Sequence, residues 1–234
     1  PSGISCGTYG STCSMVVFGG TSVTLTGTVS PAAAASFTWS GGGCSGSGSC
    51  GVTVNANTTV TMNVVRTNYS LAVSKSGSGT VTSSPAGINC GSTCSASFGY
   101  PTSVTLTQVP SSGFIFGGWS GACSGTGACT VTMDQARSVT ATFTAAYALN
   151  VTKNGNGSGT VLSTSPGGVG AVINCGSTCS ATVASGTSVT LNASRNGNST
   201  FTGWGGACAS AGTNANCTVS MTQLRDVTAT FNNF

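Results

Sequence analysis

Apolar and hydroxyl side chains alternate with period two along most of this chain. In residues 103–107, SVTLT, Val104 and Leu106 fall on one side while Thr105 and Thr107 fall on the other. Val131 and Met133 alternate in the same way with Thr130 and Thr132, and Val139, Ala141 and Phe143 with Thr140 and Thr142. Such runs predict half-buried strands, apolar inside and threonine outside. Clusters such as SKSGSG, SSPAG and SGTG lie between them and read as turns. The only stretch with a helical look is PAAAAS at residues 31–36. The fold class expected is all-β.

The pattern also recurs on a longer scale. The string SVTLT at residues 22–26 returns at 103–107 and again, as SVTLN, at 188–192. Trp39, Trp119 and Trp204 keep the same beat, roughly every 80 to 85 residues. The expected architecture is three tandem small antiparallel β-sandwich or roll repeats of five or six strands each, at 1–67, 68–146 and 147–234. Near Thr67 and Ala146 a closing strand runs almost directly into the next opening strand, which favours a stiff array. Units two and three begin with strands at residues 69–75 and 147–153, whereas the chain's first residues, PSGISCG, match 85–91. Repeat one therefore lacks its opening strand, and an open sheet edge is expected there.

Twelve cysteines fall four to a repeat: Cys6, Cys13, Cys44 and Cys50, then Cys90, Cys94, Cys123 and Cys129, then Cys175, Cys179, Cys208 and Cys217. An even count in so small a set of repeats points to an oxidising compartment and a disulfide framework. Each set of four permits three pairings. The local one is favoured (Cys6–Cys13, Cys44–Cys50, Cys90–Cys94, Cys123–Cys129, Cys175–Cys179, Cys208–Cys217), because loop length varies inside these pairs while their place in the repeat persists. Bridged Cα atoms lie within about 7 Å, whereas four residues of extended strand span roughly 13 Å, so CGSTC has to turn. Zinc is the competing reading, but paired C-x-x-C motifs are absent from the sequence.

The strings GINCGSTCSASF, SVTLTQVP, FGGWSGACSGTGACTVTM and SVTATF in residues 87–143, echoed from INCGSTC at 173 through to Phe231, resemble the divergent bacterial internalin-type B-repeat, also called the Listeria–Bacteroides repeat. Repeat one follows the pattern less closely, with FTWSGGG in place of FGGWSGA. The resemblance implies tandem display on a surface or secreted protein as a spacer or adhesive stalk, with no catalytic residues.

Composition narrows the chemistry. Charged residues make up 3% of the chain and histidine is absent. The carboxylates are Asp134 and Asp226. General acid–base or nucleophilic catalysis lacks its partners, so no enzyme is expected. Asp134 reads as a turn former, and two carboxylates cannot furnish a calcium site. No metal or cofactor is expected. Lys75 and Lys153 hold equivalent strand positions, but no acid is placed to promote a Lys–Asn crosslink. The net charge of +4 comes from scattered basic residues, which argues against nucleic acid, and no apolar run approaches the roughly 20 residues of a membrane helix. The start at Pro1 without Met fits removal of an export signal.

Each tryptophan follows a phenylalanine at short spacing (Phe37 and Trp39, Phe116 and Trp119, Phe201 and Trp204) beside a cysteine loop. That is the pattern of a core anchor; the rival is a stacking platform for sugars. Sequons occur at Asn57, Asn68, Asn150, Asn156, Asn192, Asn198 and Asn216. The function expected is a non-enzymatic, extracellular, cell-surface structural protein: a rigid repeat stalk or a self-assembling filament subunit. The alternative is a carbohydrate-binding or adhesive module of a larger secreted protein. The partner would be neighbouring repeats of a longer chain, or another copy, head to tail, whose C-terminal segment near 227–234 adds a strand to repeat one. Glycans belong to the alternative.

Overall fold

The computed structural model describes residue 6 and residues 13–164 and 173–234. The residues between Cys6 and Cys13 and the Pro/Gly-rich stretch at 165–172 lie outside the described residues, as do residues 1–5. Among the described residues eighteen strands follow one another: β1 (Thr21–Leu25), β2 (Ala35–Gly41), β3 (Cys44–Gly46), β4 (Cys50–Val54), β5 (Thr61–Arg66), β6 (Asn68–Ser76), β7 (Gly79–Ser84), β8 (Ser95–Gly99), β9 (Ser103–Pro110), β10 (Phe114–Gly121), β11 (Cys129–Thr132), β12 (Arg137–Asn154), β13 (Gly159–Ser163), β14 (Ser180–Ala184), β15 (Ser188–Arg195), β16 (Ser199–Gly206), β17 (Asn216–Ser220) and β18 (Arg225–Asn233). The alanine run contributes a single 3-10 turn, Ala32–Ala34. Pairing is antiparallel nearly throughout, in several small sheets with six disulfides.

The chain divides into two compact units, Pro1–Tyr69 with Phe98–Thr102, and Ser70–Ser97 with Ser103–Phe234. In the larger unit one arrangement of seven strands occurs twice. Antiparallel β11-β9-β7 forms one sheet, and β10, the first half of β12, β6 and β8 form the other. The second set repeats this with β13-β15-β17 and with β16-β18, the second half of β12 and β14. Inward residues of both sheets, including Leu149, Val161, Leu191, Val227 and Phe231, enclose one core in this second set. Each such side chain contributes roughly 1.5–3 kcal/mol on burial, and threonine and serine take the outward positions.

Two features depart from an antiparallel sandwich of five or six strands. Each set has seven strands, because the short β7, β8, β13 and β14 each join a sheet. In addition, opening and closing strands are parallel neighbours: residues 71–76 of β6 pair with 137–142 of β12, and 149–154 of β12 pair with 225–230 of β18. The long β12 closes the first set and opens the second without a break, which fuses their sheets into one of seven strands. Its buried positions slip phase once and recover, since Ala146, of opposite parity, is buried between Phe143 and Leu149. Val139, Ala141 and Phe143 face one core and Leu149 and Val151, at the same parity, face the next.

The smaller unit holds a two-stranded sheet, β1-β4, and a three-stranded one, β3-β2-β5. Its core is slight: Cys44, Cys50 and Val52 are buried, with Trp39, Val54 and Val60 packed on them. The C-terminal stretch is not a spare strand. β18 is bonded on both sides, antiparallel to β16 and parallel to β12, so its donation to another copy would dismantle its own sheet.

Candidate functional site

Three groups of residues recur from repeat to repeat and define what the fold offers in place of a reactive centre. The first is an aromatic anchor. Phe116 and Trp119 are three residues apart, yet both point inward, because β10 bulges between Phe116 and Gly118 and gains one residue over its partner. Gly118, at φ +134°, supplies the backbone that the bulge needs. β16 does the same between Phe201 and Gly203. The rings meet edge to face, with centroids 4.9 Å apart for Phe116–Trp119 and 5.2 Å for Phe201–Trp204. Phe143 and Phe231 complete the clusters at 5.7 and 5.3 Å from their neighbouring phenylalanines.

Each indole then holds a disulfide loop. Trp39 Nε1 donates to Gly48 O at 2.7 Å, Trp119 Nε1 to Gly127 O at 3.1 Å and Trp204 Nε1 to Asn214 O at 2.7 Å. The accepting carbonyls sit inside the loops closed by Cys44–Cys50, Cys123–Cys129 and Cys208–Cys217, with Cα separations of 5.6, 5.5 and 5.8 Å. Trp119 is 5% exposed and Trp204 7%, which leaves neither ring face open for a sugar to stack on. Replacement of Trp119 by Phe removes the donor while keeping most of the packing. We expect a loss of about 1 kcal/mol and faster amide exchange across residues 123–129, read by hydrogen-exchange mass spectrometry.

The second group is the cysteine turn. Cys90 pairs with Cys94 and Cys175 with Cys179, at Cα separations of 4.2 and 4.3 Å. The Asn89 carbonyl accepts from the N–H groups of Gly91, Ser92 and Thr93, and Asn174 does the same for Gly176, Ser177 and Thr178. Val73 N–H donates to Cys94 O and Val151 N–H to Cys179 O, so each turn is stitched to an opening strand. Cys6 pairs with Cys13 at 5.7 Å.

The third group is the glycine turn that follows each opening strand. A Cβ on Gly79 would strike the Phe143 ring, and one on Gly159 would strike Phe231. Lys75 Nζ donates to Gly79 O at 2.6 Å and Lys153 Nζ to Gly159 O at 3.1 Å, which closes the turn over the ring. Gly79→Ala or Gly159→Ala should cost about 1–3 kcal/mol through overpacking, visible as a lowered denaturant midpoint.

The carboxylates are engaged away from these lysines. Asp134 Oδ1 accepts from Arg137 Nη2 at 2.7 Å, and Thr222 Oγ1 takes the same part for Arg225 at 3.0 Å. Asp226 Oδ1 accepts from Asn150 Nδ2 at 2.9 Å. Among the described residues, no three His, Cys, Asp or Glu side chains gather as metal ligands, and no helix is long and apolar enough to cross a membrane.

The divergent InlB B-repeat domain matches residues 69–146 and again 147–233. No curated protein matches this sequence. Among solved structures, the major pilin protein T-13 from Streptococcus pyogenes aligns at 11% identity and a TM-score of 0.27, over 71% of this chain and 97% of the pilin. The pilus adhesin SpaC from Lactobacillus rhamnosus GG, in its open conformation, aligns at 8% identity and a TM-score of 0.32, over 92% of this chain and 43% of the adhesin. Alignments this loose fix neither the fold nor the role of this chain. The repeat match is of another kind, since its two consecutive segments together cover most of the chain. It brings an extracellular, cell-surface, disulfide-rich repeat character without catalytic machinery. Its two matched segments meet between Ala146 and Tyr147, within the strand that closes one core and opens the next, and by that double match the chain belongs to the divergent InlB B-repeat family.

Proposed function

We propose that this protein is a load-bearing spacer displayed outside the cell, a stalk of three tandem repeats at 1–67, 68–146 and 147–234. The observation that carries this reading is the parallel pairing of opening and closing strands. Tension along the chain enters a repeat at the start of its opening strand and leaves at the end of its closing strand. Because these two strands are parallel neighbours, the pull slides one past the other and loads their shared hydrogen bonds together rather than in turn. Bonds loaded together in shear resist far more than bonds unzipped one by one. The shared β12 then hands the load from one clamp to the next with no linker to stretch. Cysteine bridges that close loops of only a few residues keep the tight turns from paying out chain.

Pulling the chain through its two ends by single-molecule force spectroscopy tests this. The repeats at 68–146 and 147–234 should yield as discrete high-force events, well above the force that peels a β-hairpin from its tip. Yielding at the hairpin force would contradict the clamp.

A further inference from the structure

Asparagine is followed by glycine at three places in this chain, residues 154–155, 156–157 and 196–197, all within the second matched segment. The preceding repeat carries Ser76 and Ser111 where this one has Asn154 and Asn196. An asparagine before glycine is open to attack by its own backbone, because glycine has no Cβ to screen the following nitrogen and lets the peptide rotate freely. The fold treats the three pairs differently.

Asn154 ends β12 and is paired in register with Thr230 of β18, so the peptide after it has to leave that ladder before its nitrogen can approach Asn154 Cγ. Asn156 is held at both of the groups that would react. Its Oδ1 accepts from the Asn233 N–H at 2.9 Å, while the Gly157 N–H donates to Phe231 O at 2.8 Å. The space beside Gly157 is filled by the backbone of Asn232. Asn196 has none of these restraints. It lies between the end of β15 and the start of β16, exposed together with Gly197 and Asn198. Its own N–H donates to Ser158 O at 2.9 Å and anchors the turn, but among the described residues neither its side-chain amide nor the Gly197 N–H has a hydrogen-bond partner.

We propose that Asn196 is a site of spontaneous modification, where the folded chain converts the side-chain amide through a succinimide to aspartate and isoaspartate, while Asn154 and Asn156 are protected. The Gly197 nitrogen gives up its proton to solvent base and attacks Asn196 Cγ. The new C–N bond closes the succinimide ring, the Cγ–Nδ2 bond breaks, and ammonia leaves with a proton taken from water. Water then opens the ring at either carbonyl, and nothing is oxidised or reduced. The product adds a carboxylate to a chain that has two and, in the iso form, lengthens by one atom the backbone of a turn that joins the two sheets of its repeat. The two restrained asparagines lie at the end of the parallel pairing of β12 with β18 and in the turn beyond it, so ageing is steered to a turn outside the proposed clamp. This chemistry needs no force, and its failure leaves the load-bearing reading standing.

The test keeps the oxidised full chain at body temperature and mildly alkaline pH for several weeks and follows it by peptide mapping with electron-transfer fragmentation, which separates aspartate from isoaspartate. Conversion at Asn196 is expected to outpace that at Asn154 and Asn156 by roughly tenfold or more, since restrained sites react only through local opening. In the same chain reduced and unfolded in urea, the three sites should convert at rates within about threefold of one another, because no opening step then separates them. Asn196→Ser, which places there the residue type of Ser111, should remove the fast product. Absence of conversion at Asn196, equal rates at the three sites in the folded chain, or an undiminished excess at Asn196 after unfolding would each overturn the proposal.

Discussion

Full reduction of the six bridges is expected to unfold this protein near room temperature. Each closes a loop of five to ten residues and removes unfolded-state entropy worth about 2 kcal/mol, so together they supply on the order of 10 kcal/mol. Domains are commonly stable by only about 5–15 kcal/mol in all. Electrostatics offers the sheets little in exchange, since the chain carries two carboxylates and the ion pair between Arg137 and Asp134 lies at the surface, where such pairs contribute little. Circular dichroism melts with and without a phosphine reductant should show the cooperative transition of the oxidised protein collapse on reduction. A melting temperature that stays within a few degrees would place the stability elsewhere.

The second large effect separates the repeats from one another. Phe231→Ala should cost about 3–5 kcal/mol, because the ring is fully buried between Phe201 and the Gly159 turn and leaves a cavity when removed. Phe143→Ala should cost as much in the preceding repeat. Val64→Ala, at the equivalent place in the smaller unit, should cost less than about 1 kcal/mol, since its side chain already meets solvent. Urea titrations of the three variants measure the contrast directly. Equal losses at all three positions would mean that the smaller unit's core is covered after all.

Much of this is legible in the sequence. Alternation of Val104 and Leu106 with Thr105 and Thr107 marks a strand with one buried face, and the structure gives an antiparallel β9 at that place. Alternation is silent about direction, however. Nothing in the side chains of β6 or β12 says that they run parallel, because that follows from where the chain must cross between two sheets. Short strands such as β7 and β8 carry few alternating apolar residues among their serines and glycines, so the count of seven is not legible in the sequence. The bulge in β10 does leave a trace. Phe-x-Gly-Trp places two core rings an odd number of residues apart, which period two forbids, and Phe37-Thr38-Trp39 in the smaller unit shows the unbulged spacing. Among the described residues β1 pairs with β4 alone and β5 with β2 alone, and the segment at 227–234 is not free to add a strand to either. Sequence alone does not show that β18 has neighbours on both sides.

The proposed load path requires β12 to act as one rigid element shared by two repeats. Nitroxide-bearing unnatural residues at Thr126 and Ser210, on exposed loops of successive repeats, allow their separation to be measured by pulsed electron paramagnetic resonance. A single narrow distance distribution is predicted for the uninterrupted chain, broadening when a short Gly-Ser segment is inserted between Ala145 and Ala146. A distribution already as broad without the insertion would show that the repeats move independently, and the load path through β12 would be wrong.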